Sequence, residues 1–202
     1  MHKESGSCGD YAVATLQANA NIPEGMGVEG HYHVVCRDKD GNIKWEEQFP
    51  NLVVAAGKQL LLDTLLRTSG TYTTVGPFLG LTNASLTPAA TDTMTTLVGG
   101  GKEFTNYTVG GSAVRGTAVF SASSSSGSTP SNVTTSTAAA VTYTITGGGG
   151  TVYGCFLVTG SGASSTQSNT SGTLYSEGNF STAKTTTAGD TVSVTYSTTA
   201  TS

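Results

Sequence analysis

Short runs in which apolar residues alternate with hydroxyl-bearing ones dominate the chain after position 70. The alternation is cleanest at Val141, Tyr143 and Ile145, where Thr fills the positions between them. Successive side chains of a strand point to opposite faces, so this pattern predicts strands with one buried face. Gly, Ser, Asn and Pro bound the runs, as is typical of turns. Seven strands are predicted in this way, over residues 78–82, 104–109, 115–122, 140–146, 151–159, 173–181 and 190–198.

A hairpin is predicted before them, on either side of an Asp-Gly pair. Residues 31–37 (HYHVVCR) and 43–49 (IKWEEQF) are rich in aromatic and β-branched side chains, and Asp40-Gly41 between them is a strong hairpin signal. A two-residue loop would place two basic side chains opposite each other, which is unfavourable. A longer loop, which brings Asp38 beside Lys44, is therefore an equally good prediction.

One helix is predicted, from about residue 55 to residue 67. Its leucines recur four residues apart, with polar residues on the other side and Gly70 as a C-terminal stop, which is the pattern of an amphipathic helix. The apolar repeat consists of Leu61, Leu65, Leu62 and Leu66, and the polar side of Lys58, Gln59, Asp63 and Arg67.

Residues 1–30 show neither the period of a strand nor that of a helix. They nevertheless contain apolar side chains that favour burial, so we interpret the segment as an arm that lies on its own domain or on a neighbouring subunit. The apolar side chains are those of Tyr11, Val13, Leu16 and Ile22.

The predicted fold is mainly β, an antiparallel β-sandwich or jelly-roll-like body with one helix and an extended N-terminal arm. Two polar loops within the body, 121–131 and 160–172, are long enough to be mobile or to reach a partner. The predicted organisation is an arm over 1–30 and a sandwich domain over 31–202, with the hairpin at 31–49, the helix at 55–67 and Ser/Thr/Gly-rich strands over 71–199.

The low content of charged residues and the composition argue against some classes of partner. Only 22 of the 202 residues are Asp, Glu, Lys or Arg, and 15 of these precede position 68. With a net charge of -4 the chain has no basic footprint, so nucleic acid is not expected as a partner. No apolar run is long enough for a membrane span, and the first residues lack the pattern of a secretory signal. The three cysteines form no CxxC pair, and we expect isolated thiols.

No catalytic, cofactor or metal site is predicted. If Asp38 began a calcium loop, Ile43 would stand where Gly is required and Phe49 where a bidentate Glu is required. His31 and His33 share a strand face but have no third ligand at a recognisable spacing. The acids after residue 67 all lie in turn-like settings, where solvated or capping roles are expected. They are Asp92, Glu103, Glu177 and Asp190.

The second part of the chain also contains an unusual set of glycosylation sequons. Every Asn after residue 67 is followed two positions later by Ser or Thr. This supports a rival, third class of function, a secreted, glycosylated wall or adhesion protein, for which the sequence shows no secretory signal. The five residues are Asn83, Asn106, Asn132, Asn169 and Asn179.

The order of these segments resembles a widespread type of small tailed-bacteriophage virion protein, over roughly residues 50–200. The resemblance implies a structural component of the particle, a head decoration, cement or fibre protein, with no catalytic residues. It is carried by NLVVAAGKQLLLDTLL at 51–66, FLGLTN at 78–83, AATDTM at 89–94, EFTNY at 103–107, RGTAVFSA at 115–122, and the ending GTLYSEGNFS with AGDTVSVTYST.

We therefore expect a non-enzymatic capsid decoration protein, made in the host cytoplasm and located on the outer surface of the head. Its expected partner is the major capsid protein, bound without cofactors by a homo-oligomer, a trimer, whose arms gain avidity. The expected contact residues are the four apolar arm residues, Tyr11, Val13, Leu16 and Ile22, and the hairpin around Trp45.

The alternative is a tail or head fibre module that binds a host-surface carbohydrate. Such a site would require exposed aromatic side chains at loop ends. The candidates are Tyr72, Tyr107, Tyr153 and Tyr175, for which packing within the strands is the competing interpretation.

Overall fold

Two antiparallel sheets build the protein, and they confirm the mainly β, sandwich-like fold. The computed structural model describes residues 27–66, 75–123, 131–133 and 140–201. In chain order its elements are β1 (Gly27–Arg37), β2 (Ile43–Pro50), β3 (Leu52–Val53), α1 (Ala55–Leu66), β4 (Phe78–Thr82), α2 (Met94–Leu97), β5 (Glu103–Phe104), β6 (Tyr107–Thr108), β7 (Gly116–Thr117), β8 (Ser131–Val133), β9 (Val141–Ile145), β10 (Gly150–Thr159), β11 (Thr173–Thr186) and β12 (Thr191–Thr201).

Each sheet has six strands. The first has the order β2-β1-β12-β9-β6, with β8 also paired to β12. The second has the order β3-β11-β10-β4-β5, with β7 also paired to β4. Two predicted strands are much shorter than expected. The run 104–109 is divided between the two sheets by a turn in which the Tyr107 amide donates to the Thr105 carbonyl, and 115–122 contributes only β7.

The N-terminal strand begins earlier than predicted. Residues 27–30 pair with Thr201 to Thr198 of β12, so the last four residues of the predicted arm belong to the first sheet. The rest of the arm lies outside the described residues.

The hairpin is confirmed, with the longer loop. The Asp38 amide donates to the Asn42 carbonyl, and the Asp38 carboxylate accepts the amides of Asp40 and Asn42, each at 2.9 Å. A hydrogen bond from the Asn42 side chain, followed by those from the amides of Asn42 and Asp40, holds the pKa of the Asp38 carboxyl below its usual range. A register shift at Cys36 then turns Lys44 toward Asp190 rather than Asp38.

Buried tyrosines join the two sheets across the core. Tyr32 and Tyr143 belong to the first sheet and are fully buried. The Tyr32 hydroxyl lies 2.9 Å from the hydroxyl of Ser176 in the second sheet, and Tyr143 donates to the Leu79 carbonyl at 2.8 Å. A buried hydroxyl without a partner costs about 1–3 kcal/mol, so these bonds favour one alignment of the sheets.

The outer face of the second sheet is also covered. Residues 84–102, which include the short helix α2, pack a second apolar cluster against Phe156 and Val158 of β10. Helix α2 was not predicted, because four residues give too little periodicity; a capping box between Thr93 and Thr96 forms it locally.

A buried ion pair lies on this covered face. Arg115 is 1% exposed and Glu103 is 6% exposed. The guanidinium donates to both carboxylate oxygens, from Nε to Oε1 and from Nη2 to Oε2, at 2.8 Å each. The Arg115 guanidinium also lies over the ring of Phe156, 5.3 Å from its centre. The prediction that Glu103 has a solvated or capping role is wrong.

The same pair fixes the loop 160–172, which the sequence predicted to be free to move or to reach a partner. Arg115 donates to the carbonyls of Ser164 and Asn169, at 3.0 and 2.8 Å. Glu103 accepts the Ser168 amide at 2.7 Å. These groups complete the hydrogen bonding of two buried charges, so displacement of the loop would break hydrogen bonds to both Arg115 and Glu103.

Replacing Arg115 alone is therefore expected to be strongly destabilising. Arg115→Met leaves the Glu103 carboxylate buried and unpaired, and should lower the free energy of unfolding by about 3–5 kcal/mol, measured by urea denaturation. The double variant Arg115→Met with Glu103→Leu should lose less, because no uncompensated charge remains.

Lys39→Ala provides the control, since the Lys39–Asp40 pair is solvent-exposed and should contribute less than about 1 kcal/mol. If Arg115→Met lowered the free energy of unfolding by no more than Lys39→Ala does, the structural role of the Arg115–Glu103 pair would be contradicted.

Candidate functional site

The predicted contact residues are only partly described. Tyr11, Val13, Leu16 and Ile22 lie outside the described residues. Trp45 lies in β2, half-buried, with its ring edge-on to Phe180 at 5.4 Å and its indole N–H directed to the Thr185 carbonyl at 3.3 Å. Trp45 therefore ties β2 to β11, and only part of its ring remains available to a partner.

Helix α1 occupies the predicted residues, and a single glycine determines which side faces inward. Gly57 is buried against Tyr175 of β11, where an added Cβ would lie 2.6 Å from the Tyr175 carbonyl oxygen. Only a residue without a side chain allows this approach. Leu60, on the same side of the helix, is half-buried and lies close to Gly160.

This orientation leaves leucines of the apolar repeat exposed. Leu61 is 39% exposed, Leu62 46% and Leu66 69%. We call these three residues the α1 leucine surface. The sequence correctly identified an apolar side of the helix, but an amphipathic helix ordinarily buries such a side, and this helix directs most of it outward. An exposed apolar group of this kind is typical of a protein contact site.

A polar cleft lies near the start of β10, beside Tyr153, whereas α1 lies close to Gly160, just after the end of β10. Asn83, Phe104, Thr105, Asn106, Thr151 and Tyr153 line it. Of the tyrosines considered for a carbohydrate site, Tyr107 and Tyr175 are buried in the core, and Tyr72 lies outside the described residues. Tyr153 alone among the described candidates is half-exposed.

Three sequon asparagines have structural roles. Asn83 donates from Nδ2 to the carbonyls of Gly101 and Glu103, and Asn106 donates to that of Gly149. Asn179 both donates to and accepts from the backbone of Leu86. Glycosylation uses the same Nδ2 atom. These hydrogen bonds give a physical reason for Asn at the three positions that does not involve attached sugar.

A buried acid lies beneath residues 84–102. Glu177 is 1% exposed and its Oε1 accepts no hydrogen bond within the described part of the chain. Burial, and then the nearby Asp92 carboxyl, raise the pKa of Glu177 to about 8. Burial also raises the pKa of Asp92, but hydrogen bonds from Glu177, the Ala89 amide and Thr96 lower it more. Glu177 is therefore the protonated partner at neutral pH, contrary to its predicted solvated or capping role.

The other two acids have the expected roles in turns. Asp92 accepts the Ala89 amide at 2.8 Å, and Asp190 accepts the Thr187 amide at the same distance. Lys44 also contacts the Asp190 carboxylate.

Stability should fall as pH rises because of Glu177. The pKa of this carboxyl is higher in the folded state than its ordinary value of 4.5, so its stabilising contribution is complete below pH 4.5 and is lost as pH rises through about 8. Glu177→Gln should flatten the dependence of the free energy of unfolding on pH between about 5 and 9, measured by denaturation at each pH. Asp92 has the opposite effect on stability: its pKa is lowered, so its stabilising contribution is lost as pH falls, at lower pH than the effect of Glu177.

The exposed residue Glu29 supplies the control, and Glu29→Gln should keep the wild-type slope. Parallel profiles for wild type and Glu177→Gln would contradict a protonated Glu177.

Other reactive groups form no recognisable site. His33 pairs with Glu46 at 2.7 Å on the outer face of the first sheet, and the described residues contain no cluster of three metal-ligating side chains. Cys36 and Cys155 are free and buried; burial raises the pKa of the Cys36 thiol to about 11 and that of Cys155 further. Within the described residues, no helix has the length and apolar character to cross a bilayer.

Comparisons with known proteins supply no relative. No protein-family model, no curated protein and no solved structure matches the chain. Within the described residues, the α1 leucine surface and the cleft beside Tyr153 are the candidate binding surfaces.

Proposed function

We propose that this chain is a non-enzymatic structural protein of a tailed-bacteriophage particle, a decoration protein that binds the major capsid protein on the outside of the head as a trimer. The resemblance to such proteins supports the proposal, and its motifs coincide with structural elements. Residues 51–66 form β3 and α1, residues 78–82 form β4, and the two final motifs contribute to β11 and β12.

The α1 leucine surface is the observation that carries the proposal. Fully burying one leucine side chain contributes about 1.5–3 kcal/mol, so three partly exposed leucines offer a substantial contact if a partner covers them. A trimer presents three copies of this surface, and linked contacts of modest strength combine into tight binding. A repeated capsid lattice is a partner that can engage them together.

The start of β1, which follows the predicted arm in the chain, supports the same contact face. The Asn51 amide donates to the Gly30 carbonyl at 2.9 Å. The start of β1 therefore lies beside the residues that precede α1, which begins at Ala55. The arm enters the domain three residues before Gly30. Because the start of β1 and the residues that lead into α1 lie side by side, we propose that the apolar arm residues and the α1 leucine surface bind the same partner.

Charge placed on α1 should weaken binding to the head. Leu62→Glu and Leu66→Glu each put a carboxylate where the partner buries a leucine, and we expect at least about tenfold weaker binding, a loss of about 1.4 kcal/mol or more. The measurement is co-sedimentation of the purified variant with heads that lack the endogenous protein. Both positions are exposed, so the variants should unfold at the wild-type temperature.

Val119→Glu is the matched control, because Val119 is 58% exposed and follows β7, which pairs with β4, whereas α1 packs on β11. It should bind as the wild type does. Wild-type binding by both α1 variants would overturn the docking role of this helix, and failure of the wild-type protein to bind heads at all would overturn the proposed function.

Deletion of residues 2–25 tests the arm separately. The shortened chain should keep its folded body and lose particle binding. Unchanged occupancy on purified heads would show that the arm is not needed.

A further inference from the structure

We propose that the cleft beside Tyr153 binds a neutral saccharide. The cleft has a volume of about 610 Å³ and is open to solvent, a size within the usual range of small-molecule sites. It lies where the end of β4, the turn between β5 and β6 and the start of β10 meet. Helix α1 packs on β11 and near Gly160, at the opposite end of β10. The cleft and the α1 leucine surface are therefore separate sites.

Two asparagines give the cleft a fixed pattern of acceptors. The Nδ2 group of Asn83 donates to the carbonyls of Gly101 and Glu103, at 3.2 and 3.1 Å, and that of Asn106 donates to Gly149 at 2.9 Å. Each amide is thus held in one orientation by the backbone. Within the described residues, neither Oδ1 atom accepts a hydrogen bond, so both remain acceptors for the hydroxyl groups of a ligand.

Tyr153 supplies an aromatic surface in the same cleft. The pairing of β10 with β11 is interrupted at this residue: Val152 pairs with Lys184, whereas Gly154 pairs with Asn179. An interruption of this kind redirects a side chain, and Tyr153 is half-exposed in the cleft. The negative face of an aromatic ring attracts the C–H groups of a pyranose ring, so Tyr153 is the group that would orient the sugar.

The chemistry of the other lining residues favours an uncharged ligand. Thr105 and Thr151 add exposed hydroxyls, and among the described residues no charged side chain lines the cleft. Glu103, the acid next to Phe104 in the chain, is held by Arg115 on the covered face of the sheet. A neutral saccharide needs hydroxyl partners and an aromatic face, and both are present. An anionic sugar would find no cation in the lining.

The test uses the isolated full-length protein and methyl glycosides of glucose, galactose, mannose and N-acetylglucosamine, with methyl glucuronide as the anionic comparison. Two-dimensional NMR titration should show saturable shifts, centred on residues 105, 106, 151 and 153, with at least one neutral glycoside. We expect a dissociation constant on the order of 1 mM, as suits an open site.

Tyr153→Leu keeps apolar volume and removes the aromatic face, and should weaken that binding by about tenfold or more. Thr105→Val removes a hydroxyl at an exposed position without disturbing the core, and it should weaken glycoside binding by a smaller factor. Thr195→Ala, on the outer face of the first sheet, is the control and should bind as the wild type does.

The proposal is overturned if no neutral glycoside gives saturable shifts at a glycoside concentration about fifty times the expected dissociation constant. It is also overturned if Tyr153→Leu binds the glycoside as tightly as the wild type does. Tighter binding of methyl glucuronide than of every neutral glycoside would overturn the neutral class. None of these results depends on whether the protein binds heads, so the saccharide site and the capsid function fail independently.

Discussion

The buried pair between Arg115 and Glu103 is the constraint on which the covered face of the second sheet depends. Removing two charges from water costs several kcal/mol each, and only complete hydrogen bonding offsets that cost. Much of that bonding comes from the loop 160–172, through Ser164, Ser168 and Asn169. A segment composed largely of Ser, Gly and Thr, which would otherwise favour no single conformation, is thereby ordered over the apolar cluster beneath it. The chain has few charged residues, and this one pair fixes the position of a whole surface loop.

The resulting body presents two different surfaces at opposite ends of β10. At one end α1 rests on β11 through Gly57 and leaves Leu61, Leu62 and Leu66 exposed. At the other end hydrogen-bonded asparagines and Tyr153 form a polar cleft, and its lining residues in the described part of the chain carry no charge. An apolar surface suits a protein partner, whereas a polar cleft with an aromatic side chain suits a small hydroxylated ligand. The separation lets a particle protein be attached on one side while the other faces solvent.

Sequence patterns predicted the elements more fully than the contacts between them. Alternation located β4, β9, β10, β11 and β12, the Asp-Gly pair located the hairpin, and leucine spacing located α1, because these signals are local. The rotation of α1 could not be predicted, since it depends on how closely Gly57 approaches the backbone of Tyr175. Likewise, Glu103 and Arg115 gave no signal of pairing, and the sequons did not reveal that Asn83 and Asn106 bond to the backbone of neighbouring turns. Tyr153 was among four candidate tyrosines, and only burial distinguishes it from Tyr107 and Tyr175.

We propose that this chain decorates the head of a phage particle, and its copy number on purified particles tests that proposal. Quantitative mass spectrometry of purified particles, calibrated with labelled peptides from this chain and from the major capsid protein, gives the ratio of the two. A decoration protein should be present in a simple ratio to the capsid subunit, on the order of hundreds of copies per particle, as repeated lattice contacts require. A few copies per particle that separate with the tails, or none, would contradict the account.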